Sequence, residues 1–311
     1  MQNRLLHKNP NAIKESVGRK IFIVTNYILL TLLILICLFP FVHLLAISFS
    51  SDKYASAGLV GLWPKGFTFD AYIMLMGKKE FFRAFGISVA RTIAGTLLTL
   101  IVVVLTAYPL SKDDGRVKGR TFLSWFFVIT MFFSGGLAAT YVLYDSLHLI
   151  NSFLVFILPS ACDVWFVFML MNFFRGIPKE MEEAALIDGC NQIQVLFKVY
   201  LPLSLPALVT IVLFTAVGQW NSWFDGMLFM NDPNNYPLQS YLYNIIISSD
   251  PSKLIAAGSK LTPEQLEALS NIGGKNLQSA QIFLGMLPIT LVFPFLQKYY
   301  IKGMTVGSVK G

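Results

Sequence analysis

The chain has 311 residues, of which 55% are hydrophobic and 13% charged, with a mean hydropathy of +0.62 and a formal net charge of +7. That much apolar surface exceeds what one water-soluble core can enclose, so part of the solvent must be lipid. The positive charge does not point to nucleic acid, because Lys and Arg gather in loops on one predicted side of a membrane.

Taken in chain order, the first element is a basic tail, residues 1–20, with Arg19 and Lys20 against an apolar run. The run is too long for a signal peptide and no small-x-small cleavage site follows, so it reads as a retained first span. Six windows are apolar for about 20 residues or more, the length a helix needs to cross ~30 Å of hydrocarbon. They cover 21–47, 84–110, 122–143, 153–174, 203–224 and 280–300, and 302–311 form a tail. None alternates with a period of two, which argues for helices over barrel strands. The expected fold is therefore all-α, a polytopic membrane protein with six transmembrane helices.

Fifteen of the twenty-four Lys and Arg residues fall in the two tails and the second and fourth loops, against eight in the other loops. This puts both termini in the cytoplasm. Of the outer loops, the first carries Trp63-Pro64 and a short apolar turn at Tyr72 to Met76. The fifth carries Thr262-Pro263-Glu264-Gln265, a helix-start signature ahead of Gly273 and Gly274. Each suits either a seal over the helix ends or contact with a docking partner.

The loop from 177 to 202, between the fourth and fifth spans, reads IPKEMEEAALIDGCNQIQVLFKVYLP. Pro178 suits the first position of a new helix, and Glu180, Glu182 and Glu183 then lie near the positive end of its dipole. Gly189 can take the left-handed conformation that ends it. Met181, Ala184, Ala185 and Asp188 share one stripe of this short helix, where the alanines allow a docked surface to come close. A second helix starts near Asn191, with Ile193, Leu196, Phe197 and Tyr200 on one side, and Pro202 marks the turn into the fifth span.

The spacing of Glu183-Ala184-Ala185, Gly189, Val199 and Leu201-Pro202 resembles the EAA loop of binding-protein-dependent ABC permeases, with Val where Ile is commoner. Ile177-Pro178-Lys179-Glu180 and Ile187-Asp188-Gly189 resemble the carbohydrate branch. Gln219 to Trp223 and the ending from Lys302 to Gly311 are similar to its maltose-G-type, LplC/YtcP-like subunits. The resemblance runs from Ile21 onward. It implies a carbohydrate permease of the bacterial plasma membrane, importing an oligosaccharide handed over by an extracellular solute-binding protein. It also implies a second, similar permease and two cytoplasmic ATPases, which bind ATP and Mg2+ and supply the energy. By the same resemblance the helix from Pro178 to Asp188 is the coupling helix docked in the ATPase, with Met181, Glu183, Ala184, Ala185, Asp188 and Gly189 as its contact residues.

Charged and amide groups inside the spans are the candidates for the substrate pathway. Arg91 lies roughly 10 Å into the second span and Asp163 roughly 15 Å into the fourth, by helical rise. They face the pathway or each other. The plainer readings are a snorkelling Arg91 and a hydrogen-bonded structural Asp163. Gln219, Trp220, Asn221, Trp223 and Asp225 close the fifth span, either against a sugar or, for the tryptophans, as an interfacial belt. Arg91 would suit an acidic sugar such as a uronate oligomer.

His7, His43 and His148 share no ligand spacing, and Cys37, Cys162 and Cys190 form no CxxC pair, so neither a metal site nor a disulfide framework is expected. No GxxxxGK[ST] or GxSxG segment occurs, so no cofactor, nucleotide or catalytic residue is expected in this chain. An ion-coupled secondary transporter of a polar solute is the alternative, but the halves show no repeat and the loop at 177–202 would then have no task.

Overall fold

The computed structural model describes residues 16–113, 115, 117–248 and 274–308. The expected outer helix at Thr262 and the tail before Ser16 lie outside the described residues. Among those described, the structure is helical, with an isolated bridge pairing Ser50 and Phe67.

Helix α1, Val17–Ser48, begins at Ser16, whose hydroxyl accepts from the Arg19 amide. From Val17 to Val42 its side chains are exposed apart from a half-buried Ile23. Two short helices follow outside the long ones, α2 (Asp52–Ser56) and α3 (Asp70–Met76). The apolar turn at Tyr72 is α3, held by Ala71 and Leu75 in the core and by a 2.8 Å hydrogen bond between Tyr72 and Ser48.

Helix α4, Lys79–Ser111, is the central post of the molecule. It is continuous for 33 residues and packs on the helices Val164–Arg175 and Leu205–Asn221. Together with α1 it is long and apolar enough to cross a membrane.

The expected continuous helix over 122–143 is instead two pieces, α5 (Arg120–Phe132) and α6 (Gly136–Ser146), bent by 116°. Ser134-Gly135-Gly136 forms the corner, and Gly136 has φ +75°, a backbone state that costs a side-chain-bearing residue steric strain. The window 153–174 also breaks. Its first part is a 3-10 turn, Phe153–Phe156, and α7 spans only Val164–Arg175. Pro159 lacks the amide a helix would need, and the Asp163 carboxylate accepts from the Trp165 and Phe166 amides at 2.9 and 3.4 Å, which starts a new helix there.

The next helix, α8 (Lys179–Ile187), has Pro178 as its N-cap, one position earlier than a first helical residue, and Gly189 beyond its end at φ +83°. Helix α9, Gln192–Val195, opens with a capping box in which Asn191 and Gln194 bond each other's backbone. A five-residue π turn, Leu196–Tyr200, leads into α10 (Leu201–Leu203). Ser204 breaks the path, and the chain bends by 80° into α11, Leu205–Asn221. The stripe expected on this segment is split. Leu196 and Tyr200 are buried, whereas Ile193 and Phe197 are 68% and 60% exposed, because the π turn rotates the register between them.

Helices α12 (Phe224–Phe229) and α13 (Leu238–Ser248) follow, and α14 runs from Lys275 to Ser308, past the expected end at 300. Helix α14 packs on α1 and α11. The Trp220 indole donates to the Gly285 carbonyl at 3.1 Å across the second of these contacts. The core near the end of α4 combines Val103, Ala107, Leu170, Phe174, Val195 and Ile211.

Candidate functional site

Two places gather polar groups. The first is the segment around α8. Residues three apart share a helix face, and on the inner face Lys179 and Glu182 reach the turn that follows α4. Lys179 Nζ lies 2.7 Å from Asp113 Oδ2, with both side chains exposed. Glu182 is buried; its Oε1 lies 2.9 Å from Lys112 Nζ and its Oε2 accepts from the Tyr200 hydroxyl at 2.7 Å. The Lys112 ammonium sits over the rings of Tyr108 and Tyr200, 4.2 and 4.0 Å from their centroids, so aromatic faces also flank it. Tyr108 in turn donates to the Gln192 side-chain carbonyl at 2.8 Å.

The outer face of α8 carries the expected stripe with one change. Met181, Glu183, Ala184, Asp188 and Gly189 are exposed, but Ala185 turns partly into the core with Leu186. Ile187, 85% exposed, joins the outer surface instead. A face of alanine, methionine and isoleucine with little bulk at its centre allows a neighbouring surface to approach the backbone closely.

The second place is a cavity of about 370 Å3 between α4, α11 and the segment before α7. Arg91, 2% exposed, enters it from α4. Its guanidinium donates to both Asp225 oxygens, at 3.2 and 2.5 Å, and twice to Gln219 Oε1, at 3.2 and 3.1 Å. The Phe156 ring lies 4.6 Å from its central carbon. The Gln219 amide donates onward to the Ser160 hydroxyl at 2.7 Å. Gly95 makes room for this chain of contacts: a Cβ there would stand 2.6 Å from Gln219 Nε2.

Arg91, Asp163 and Gln219 therefore line one cavity, as does Asp225. Of the two expected arrangements, facing the pathway or facing each other, Arg91 and Asp163 share the cavity but do not pair: Asp225 is the partner of Arg91, and Asp163 caps α7 as a hydrogen-bonded structural carboxylate. Arg91 does not snorkel to an interface. Within the cavity the Arg91 charge is paired with the Asp225 carboxylate.

Trp220, Asn221 and Trp223 are not among the lining residues. Trp220 is buried against Phe85, Trp223 stacks on Tyr243 with centroids 4.1 Å apart, and Asn221 is exposed at the end of α11. The sequence reading missed Ser160, Phe156 and Ser222 in the cavity, and Lys112 and Tyr200 behind α8. Lys112 registered only as a loop cation and Glu182 only as a dipole carboxylate; no local pattern marks a pair formed 70 residues apart.

A family model for the binding-protein-dependent transport system inner membrane component matches residues 16–306. The chain belongs to that family. Among relatives of this permease, Protein LplC of Bacillus subtilis (strain 168) is 37% identical, with 94% of this chain and 96% of the relative aligned. The polygalacturonan/rhamnogalacturonan transport system permease protein YtcP of the same organism is 36% identical over 94% and 99%. The crystal structure of a bacterial ABC transporter involved in the import of the acidic polysaccharide alginate contains a chain that superposes with a TM-score of 0.80 at 31% identity, covering 92% of the permease and 99% of that chain. The permease is thus a non-enzymatic, multi-pass transport subunit of an ABC importer in the plasma membrane, a class that works with a solute-binding protein and ATPase partners.

Proposed function

We propose that the permease moves an oligosaccharide across the plasma membrane in six spans with both termini cytoplasmic, paired with a second, similar permease. Two ATPases, carrying ATP and Mg2+, engage it through α8, and an extracellular binding protein delivers the sugar. The carbohydrate class is supported by the names of YtcP and of the alginate importer. The observation that carries the coupling role is the exposed, small-residue face of Met181, Ala184 and Asp188, set beyond the end of α7 by Pro178 and closed by Gly189. We read each bent pair, α5/α6 and the stretch Gln192–Leu203 with α11, as a single span, an arrangement tolerated where a cavity or neighbouring protein satisfies the backbone. The ion-coupled alternative loses its ground with family membership.

An Ala184→Cys variant in a background without Cys37, Cys162 and Cys190 tests this reading. A short thiol-to-amine crosslinker is expected to join it to a copurifying ATPase in inside-out vesicles. Absence of that product from an assembled importer would remove the coupling role. For the substrate, cells lacking the gene are expected to lose uptake of labelled oligogalacturonides or related oligosaccharides, and unaltered uptake of every sugar tried would overturn the carbohydrate reading.

A further inference from the structure

The contacts behind α8 have a geometry that docking alone does not require. Helix α8 joins the rest of the chain through the bends at Gly176-Ile177-Pro178 and Gly189-Cys190. Among the described residues two ion pairs join it to the end of α4, and of these Lys179–Asp113 is exposed on both sides and water screens it. Lys112–Glu182 is the reverse: side-chain exposures are 8% and 5%, the separation is 2.9 Å, two tyrosine rings flank the ammonium, and the Tyr200 hydroxyl holds the second carboxylate oxygen. A buried pair gains little over apolar packing in net stability, but removing one partner is costly, so it holds two elements in one relative position. The π turn at Leu196–Tyr200 serves the same contact, since one residue fewer in that turn would swing Tyr200 by roughly 100° away from Glu182.

Lys112 caps the C-terminus of α4, and Arg91 lies on the same unbroken helix 21 residues earlier, roughly 30 Å away at 1.5 Å per residue. We propose that Lys112 and Glu182 form a strut that passes displacement of α8 into α4 as a rigid rod, and thereby to the Arg91–Asp225 contact at the cavity. This rests on α8 being the ATPase-docking element. Lys112, Glu182 and Tyr200 are positioning residues; they touch neither nucleotide nor sugar. The strut couples two sites through an element with a defined contact at each end, a physical connection of the kind long-range coupling requires.

The test uses the importer purified with the subunits that accompany a tagged permease, in the background without native cysteines. Thr140→Cys, on the cavity wall, reports its opening through the rate of N-ethylmaleimide labelling with and without ATP and vanadate. With Lys112 and Glu182 intact, nucleotide is expected to change that rate. In Lys112→Met and in Glu182→Gln the nucleotide-dependent change is expected to shrink at least about fivefold, the lower end of ordinary coupling strengths. ATP is still hydrolysed, and the Ala184→Cys crosslink to the ATPase still forms. The exchanged pair Lys112→Glu with Glu182→Lys is expected to recover part of the response.

Single variants that keep the full response overturn the strut. Loss of the crosslink together with the response also overturns it, because the pair would then serve docking alone. If no crosslink forms even with both residues intact, the docking reading itself has failed. Should the single variants not reach the membrane, Tyr200→Phe, which removes only the hydroxyl on Glu182, decides: a reduced response supports the strut and an unchanged one overturns it.

Discussion

At Arg91, a full positive charge lies 2% exposed within apolar helices, and its position depends on Asp225 and Gln219. Asp225→Asn keeps the shape but leaves the guanidinium without its counter-charge. Removing one partner of a buried pair costs about 3–5 kcal/mol, so the variant is expected to unfold at a clearly lower temperature in detergent. Arg91→Met combined with Asp225→Leu removes both charges and is expected to regain most of that loss, while transport stays impaired if the pair belongs to the pathway. Gly95→Ala tests the same cluster from the other side. The added methyl meets Gln219 at 2.6 Å, and overpacking of this kind costs about 1–3 kcal/mol. Thermal unfolding and uptake should both fall, and Gln219→Ala in the same chain should relieve the clash. Arg91 and Gln219 were legible in the sequence because polar groups stand out in apolar windows. Their arrangement was not, since Asp163 and Asp225 are equally acidic and counting depth along a helix presumes that the helix is unbroken.

That presumption fails at the scale of the element. The window 153–174 is apolar enough for a span, yet Pro159 and the Asp163 carboxylate divide it, and α7 keeps only 12 residues. A hydropathy average is blind to this, because a break needs only one missing amide or one acceptor at the right place. The division predicts that Asp163→Ala destabilises the permease by about 1 kcal/mol through the lost cap, whereas Asp163→Asn, whose side-chain oxygen still accepts, is nearly neutral. Equal losses in the two variants, measured by thermal unfolding, would show instead that the charge matters and not the cap. Helix α8 is the opposite case. Its limits were legible because Pro178 and Gly189 act locally, each through its own backbone restriction, and the structure places the helix end within one residue of the expected position. The face that α8 turns inward could not be read the same way, since both faces carry glutamate and only the partner 70 residues earlier distinguishes Glu182 from Glu183.

For the whole molecule, the strongest constraint is how much apolar surface is left uncovered. Helix α1 exposes its side chains along most of its length, and Trp125 and Phe132 of α5 are 63% and 79% exposed. In water such a surface would drive aggregation; in lipid it needs no cover. This part of the architecture was fully legible, because it depends on composition and run length and not on which residues meet. The sidedness rests on the distribution of cations, and it makes a prediction that the helix packing alone does not. With native cysteines replaced, a cysteine at Trp63, 82% exposed in the loop after α1, should react with a membrane-impermeant maleimide added to intact spheroplasts. A cysteine at Ala184 should be protected there and become reactive in inside-out vesicles. The two positions flank an odd number of crossings in the proposed topology, so they must lie on opposite sides. Labelling of both from one side would mean that either α5/α6 or the segment from Phe153 to Arg175 turns back without crossing. Labelling of Ala184 alone from outside would invert the orientation and place α8 where no ATPase can reach it.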